Sequence, residues 1–144
     1  MRLDHINIVV RDLEGAIQFF RHLGFEVGDE ADLSGDWISD VVGLKEVSAR
    51  YARLSSTTSS VQIELIAYRH PPSPEPPDIA QANRIGYRHI AFQVDNIDSE
   101  VERLTAAGVH FLSPVHTYPR TGKQIVYGRG PENILIELAQ YADR

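Results

Sequence analysis

One pattern occurs twice in this chain, 84 residues apart, and it constrains the fold more than any other feature. Leu3-Asp4-His5-Ile6-Asn7-Ile8-Val9-Val10 returns as Tyr87-Arg88-His89-Ile90-Ala91-Phe92-Gln93-Val94. At the same spacing Leu13 falls on Ile97, Ile17 on Val101, Phe20 on Leu104 and Gly24 on Gly108. Side-chain character is thus kept across a strand, a turn and a helix, which implies two copies of one supersecondary unit. Each copy ends in an apolar strand with a glutamate in it, Val61-Gln62-Ile63-Glu64-Leu65 and Ile134-Leu135-Ile136-Glu137-Leu138.

The periodicities predict the elements. Alternating β-branched residues give the first strand, Asp12 caps a helix, and Leu13, Ala16, Ile17, Phe20 and Leu23 form its buried stripe until Gly24 stops it. Phe25 and Val27 resume a strand. Residues 28–46 have no copy in the second half and read as a lid or rim, with a short helix around Ile38 to Val42. Strands over 48–54 and 60–68 complete the first module. Five prolines between Pro71 and Pro77 forbid a ladder strand or helix interior. The organisation expected is a first module over 1–68, a proline-rich linker over 69–85 and a second module over 86–144. The second module is predicted as a strand over 88–94, a helix over 97–107, a short strand near 109–112 and closing strands over 123–127 and 134–138. The Gly128 to Asn133 segment joins the last two as a turn. Each half is βαβββ.

The two-residue period of a strand sorts side chains onto faces. Ile6, Ile8 and Val10, like Ile90, Phe92 and Val94, suit packing against the helices. His5 with Asn7, His89 with Ala91 and Gln93, Gln62 with Glu64, and Glu137 with Leu135 lie on the opposite faces. An unpaired carboxylate inside an apolar strand costs several kcal/mol or changes its protonation, so Glu64 and Glu137 need compensation. A divalent cation held by two imidazoles and two carboxylates supplies it and keeps positions open for water or substrate. The alternative is structural: a hydrogen-bonded mid-strand histidine, and Glu64 paired with Arg50 or Arg53. Four such residues at equivalent places of a duplicated unit favour the metal. His22, His70, His110 and His116 lie outside those places and read as surface residues.

With 144 residues, 42% of them hydrophobic, the chain can bury a core without staples. Cysteine is absent, which removes disulfides, thiolate metal sites and a cysteine nucleophile. A net charge of −6 with scattered Lys and Arg speaks against nucleic acid as partner. No apolar run approaches membrane-spanning length and the first strand starts at once, so a soluble, unprocessed, cytoplasmic protein is expected.

With these residues placed, the chain resembles the vicinal oxygen chelate superfamily, which includes glyoxalase I, methylmalonyl-CoA epimerase, extradiol dioxygenases, fosfomycin-resistance enzymes and bleomycin resistance proteins. The resemblance runs through Leu3-Asp4-His5 and its helix, Gly24-Phe25, Gln62-Ile63-Glu64-Leu65, Gly86-Tyr87-Arg88-His89-Ile90-Ala91-Phe92 and Asn133-Ile134-Leu135-Ile136-Glu137-Leu138. It implies an α+β fold of two paired βαβββ modules, with mixed sheets curled into a cup and helices outside. It also implies that His5, Glu64, His89 and Glu137 match the four metal-ligand positions of glyoxalase I. Methylmalonyl-CoA epimerase commonly has glutamine where this chain has Glu64. Extradiol dioxygenases usually leave that position free, and the drug-sequestering relatives lack the ligands. Relatives often carry Asp-Pro-Asp-Gly-Asn before the last strand, where this chain has Gly130-Pro131-Glu132-Asn133.

The activity implied is proton transfer by a metal-dependent lyase or isomerase, through an enediolate or enolate of a small carbonyl or thioester substrate. Glu137 is the base and Glu64 its acid partner, or the reverse. The metal expected is nickel, zinc, cobalt or manganese, with ferrous iron for the dioxygenase alternative; a non-catalytic drug-binding protein is the third possibility. Trp37, Arg50, Asn7, Gln93, Lys123 and Tyr127 are the residues expected to meet substrate. The partners expected are that small molecule and a second copy of the chain in a homodimer.

Overall fold

The computed structural model describes residues 3–74, 81–83 and 85–142. The chain divides into two compact units, Met1–Pro76 and Pro77–Arg144. Part of the expected linker, 75–80 and 84, lies outside the described residues.

In the first unit β1 (His5–Val9) leads into α1 (Leu13–His22), β2 (Glu26–Ser34), α2 (Asp36–Val42), β3 (Ser48–Ser56) and β4 (Ser59–His70). The sheet order is β1-β4-β3-β2, with β1 parallel to β4 and the other neighbours antiparallel. The helix α1 begins where expected, because the Asp12 carboxylate accepts the Gly15 N–H and so satisfies one orphan donor of the first turn. It ends at Gly24, whose φ of +84° suits a residue without Cβ. Ala16, Ile17, Phe19 and Phe20 bury its inner face. Phe20, fully enclosed, contributes about 2–3 kcal/mol by leaving water.

The second unit repeats the plan with β5 (His89–Gln93), α3 (Ile97–Ala106), β6 (His110–Phe111), β7 (His116–Thr117), β8 (Gln124–Arg129) and β9 (Leu135–Gln140). Its order is β5-β9-β8-β6, with β7 also paired to β8. Asn96 caps α3 by accepting the Ser99 N–H. Ile97 and Leu104 bury the inner face of that helix, as the spacing predicts. Among the described residues no helix is long and apolar enough to cross a membrane.

Three expectations need correction. Residues 28–34 are not part of a lid: they continue β2 and pair with β3 as far as Ser34 opposite Ser48. Only α2 stands off the sheet, and Ile38 ties it down in a buried cluster with Val47, Ala49 and Ile66. The first module does not stop at 68, since His70 still pairs with Ser48. Gly128 and Arg129 are strand rather than turn, opposite Ile136 and Leu135. Gly128 is needed there, because a Cβ on it would lie 2.9 Å from Val109 Cγ1 and 3.1 Å from the Phe111 ring. The turn itself is shorter, with Glu132 and Asn133 at positive φ.

Candidate functional site

Strand register builds the same histidine–glutamate pair in each unit. In the first, β1 runs parallel to β4 with Asn7 opposite Glu64 and His5 opposite Gln62. In the second, β5 runs parallel to β9 with Ala91 opposite Glu137 and His89 opposite Leu135. The histidine therefore stands two residues before the glutamate's partner in both cases. Because side chains alternate, histidine and glutamate emerge on one face while Ile6, Ile8, Ile90 and Phe92 lie on the other.

Glu64 is held at both oxygens. Asn7 Nδ2 donates to Oε1 at 3.0 Å, and Arg53, directly opposite on β3, donates to Oε2 at 2.8 Å. His5 Nε2 lies 3.9 Å from Oε1. Burial alone would raise the Glu64 pKa, but the hydrogen bonds from Arg53 and Asn7 and the nearby positive charges hold it below the ordinary carboxylate value. The structural alternative for Glu64 is thus present in the chain, with Arg53 as the partner. On the other side of His5, Nδ1 is 2.7 Å from the Asp4 carboxylate. An ionised carboxylate only accepts, so Nδ1 is the donor in that contact, and Nε2 is the ring nitrogen that faces Glu64.

Glu137 is the more enclosed carboxylate, 5% exposed, and the only buried charged residue among those described. Lys123 Nζ reaches Oε1 at 2.6 Å, and His89 Nε2 lies 3.3 Å from Oε2. The hydrogen bond to Glu137 pushes the Lys123 pKa up. Tyr127, opposite Glu137 on β8, tilts against the His89 ring at a centroid distance of 4.9 Å. Burial and then the Glu137 charge raise its phenol pKa.

Can such pairs hold a cation? Two donors about 2.1 Å from one ion, at angles between octahedral and tetrahedral, stand roughly 3.0–3.4 Å apart. His89 and Glu137 meet that spacing; His5 and Glu64 exceed it by about half an ångström, within reach of a small side-chain rotation. In both pairs one carboxylate oxygen is anchored by a cationic side chain and the other faces the imidazole. Metal-binding carboxylates are commonly steadied in this way by an outer partner. Among the described residues no group of three or more His, Asp or Glu with metal-binding geometry occurs. Each unit by itself offers a pair.

The other residues expected to meet substrate divide. Asn7 and Tyr127 sit against the glutamates, and Lys123 is the ion-pair partner of Glu137. Gln93 lies on the His89 face, exposed, at the end of β5. Arg50 is not brought to this face: it pairs with Glu30 and Asp32 on the opposite one, because the register puts Arg53 and not Arg50 beside Glu64. Trp37 is exposed on α2, where its neighbour Ile38 makes the packing contact. Asp4 was not foreseen; an acid directly before the strand histidine was its one sequence signal.

Residues 2–138 match the sequence model of the Glyoxalase/Bleomycin resistance protein/Dioxygenase superfamily. The uncharacterized protein YwkD of Bacillus subtilis is 30% identical over 137 residues, 94% of each chain. The mitochondrial methylmalonyl-CoA epimerase of Mus musculus is 30% identical over 146 residues, covering 96% of this chain and 72% of that one. The crystal structure of a glyoxalase family protein from Bacillus cereus superposes with a TM-score of 0.91 at 33% identity, covering 99% of this chain and 95% of the other.

Proposed function

This chain belongs to the glyoxalase/bleomycin resistance protein/dioxygenase superfamily, and from that premise we propose that it is a metal-dependent lyase or isomerase of the glyoxalase I type. It moves a proton next to the carbonyl of a small carbonyl or thioester substrate. One observation carries this: two strand pairs, in two repeated units, present a histidine and a glutamate in identical register on the strand face opposite Ile6, Ile8, Ile90 and Phe92. His5, Glu64, His89 and Glu137 are the proposed ligands. Two imidazoles and two carboxylates suit nickel, zinc, cobalt or manganese. The bound cation supplies a Lewis acid for the carbonyl oxygen.

The chain's own groups then divide the work. Glu64, anchored at both oxygens by Asn7 and Arg53, is the fixed ligand. Glu137 is anchored through the flexible arm of Lys123 and is the more enclosed of the two carboxylates. It is the group that takes the proton, and Lys123 steadies whichever charge remains. The likeness to methylmalonyl-CoA epimerase favours a thioester over a free carbonyl compound.

The test is metal analysis of the purified protein followed by deuterium uptake next to the carbonyl in a panel of acyl-CoA thioesters and thiol hemithioacetals. Glu137→Gln is expected to keep the metal and lose exchange. Full exchange in that variant overturns Glu137 as base, and ferrous iron with oxygen uptake overturns the isomerase assignment.

A further inference from the structure

In the first unit four side chains close a ring. Asp4 Oδ2 lies 2.7 Å from His5 Nδ1, His5 Nε2 lies 3.9 Å from Glu64 Oε1, Glu64 Oε2 accepts from Arg53 Nη2 at 2.8 Å, and Arg53 Nη1 returns to Asp4 Oδ2 at 3.7 Å. Arg53 thus touches both the carboxylate beside the histidine's outer nitrogen and the carboxylate beside its inner one. We propose that Arg53 is a positioning residue, which holds Asp4 and Glu64 together so that His5 is fixed with Nε2 toward the cation. This rests on the metal reading given above.

The second unit supports a specific role rather than a need of the fold. It has the same strand order and the same register, yet Arg88 stands where Asp4 does, Tyr127 where Arg53 does and Ala91 where Asn7 does. The scaffold therefore forms without such a ring. Guanidinium is the group suited to it, since its planar fork can donate to two carboxylates at once, which a single ammonium does less well. A carboxylate on the outer nitrogen of a metal-binding imidazole sets its tautomer and orientation, and loss of such a partner typically weakens metal binding about 10–100-fold.

Cobalt affinity, read by competition with a chromophoric chelator and by the cobalt ligand-field spectrum, tests this. Arg53→Met and Asp4→Ala are each expected to weaken binding roughly 10–100-fold and to change the spectrum. The double variant is expected to fall no further than the worse single one, because both act through His5. Arg53→Lys should recover part of the loss. Asp4 is largely exposed, so its removal does not threaten folding, and thermal denaturation of each variant checks this. Affinities of both single variants within about threefold of the parent protein overturn the proposal. If they do so while His5→Ala loses cobalt, only the role of Arg53 falls; if the parent protein binds no cobalt, the metal reading falls and takes this inference with it.

Discussion

Lys123→Met removes the ammonium that faces the most enclosed carboxylate among the described residues. Nζ and Oε1 are 2.6 Å apart, and Glu137 is 5% exposed. At an effective dielectric of about 20, unit charges at that separation attract by roughly 6 kcal/mol, much of it offset by the cost of taking both groups out of water. Truncating one member of a buried pair usually costs about 3–5 kcal/mol, since the survivor is left uncompensated. The Lys123 side chain keeps 21% exposure, so water reaches the pair and the lower end, about 3 kcal/mol, is expected. For a chain of this length that corresponds to a fall in Tm of roughly 6–12 °C. Urea and thermal denaturation followed by circular dichroism, at neutral pH with a chelator present, measure it. In a Glu137→Gln background the same substitution should cost less than about 1 kcal/mol, because a neutral amide needs no counter-charge. A loss below about 0.5 kcal/mol in the parent background, or an equal loss in both, refutes the reasoning.

The lowered Glu64 pKa means that its stabilising contribution is present above the ordinary carboxylate value of 4.5 and is lost as pH falls through the depressed one. Glu64→Gln should therefore show a shallower loss of Tm between pH 5 and pH 3 than the parent protein. The raised Lys123 pKa has the opposite sense: its contribution is present below 10.5 and disappears as pH rises through the raised value, so the deficit of Lys123→Met should narrow in strong alkali. Gly128→Ala forces a methyl to 2.9 Å from Val109 and 3.1 Å from Phe111, and should cost about 1–3 kcal/mol in urea titration. Asp12→Ala removes the cap on the Gly15 N–H and should cost about 1 kcal/mol in the same assay.

The strand faces of the candidate site residues were legible in the sequence because strand geometry is strict. Once β1, β4, β5 and β9 are recognised, alternation alone assigns His5, Glu64, His89 and Glu137 to faces. The sequence narrowed the partner of Glu64 to an arginine, Arg50 or Arg53, without choosing between them. Ser56 opposite Ser59, continued regularly from the turn, would set Tyr51 beside Glu64; an irregularity between Leu54 and Ser56 sets Arg53 there instead. Sequence patterns do not announce such a shift. The Lys123–Glu137 pair was hidden for a different reason, since Lys123 precedes β8 and reaches Glu137 only through the length of its side chain. Residues 28–34 misled through composition: Gly28, Asp29, Glu30 and Asp32 look like loop, yet an edge strand with one neighbour tolerates charge on exposed positions.

The small cluster around Ile38 has a consequence for the timing of motion. The seven residues of α2 are attached to the first sheet through one buried side chain of their own, whereas β4 is hydrogen-bonded on both sides. Segments so lightly held open by local fluctuation at a small fraction of the global unfolding free energy. The amide protons of Asp40 to Val42 should thus exchange with solvent long before those of Ile63 to Ile66. Since α2 rests on Ala49 and Ile66, on the face that carries Glu64 farther along, each such opening wets one end of that face while the strands bearing His5 and Glu64 stay paired.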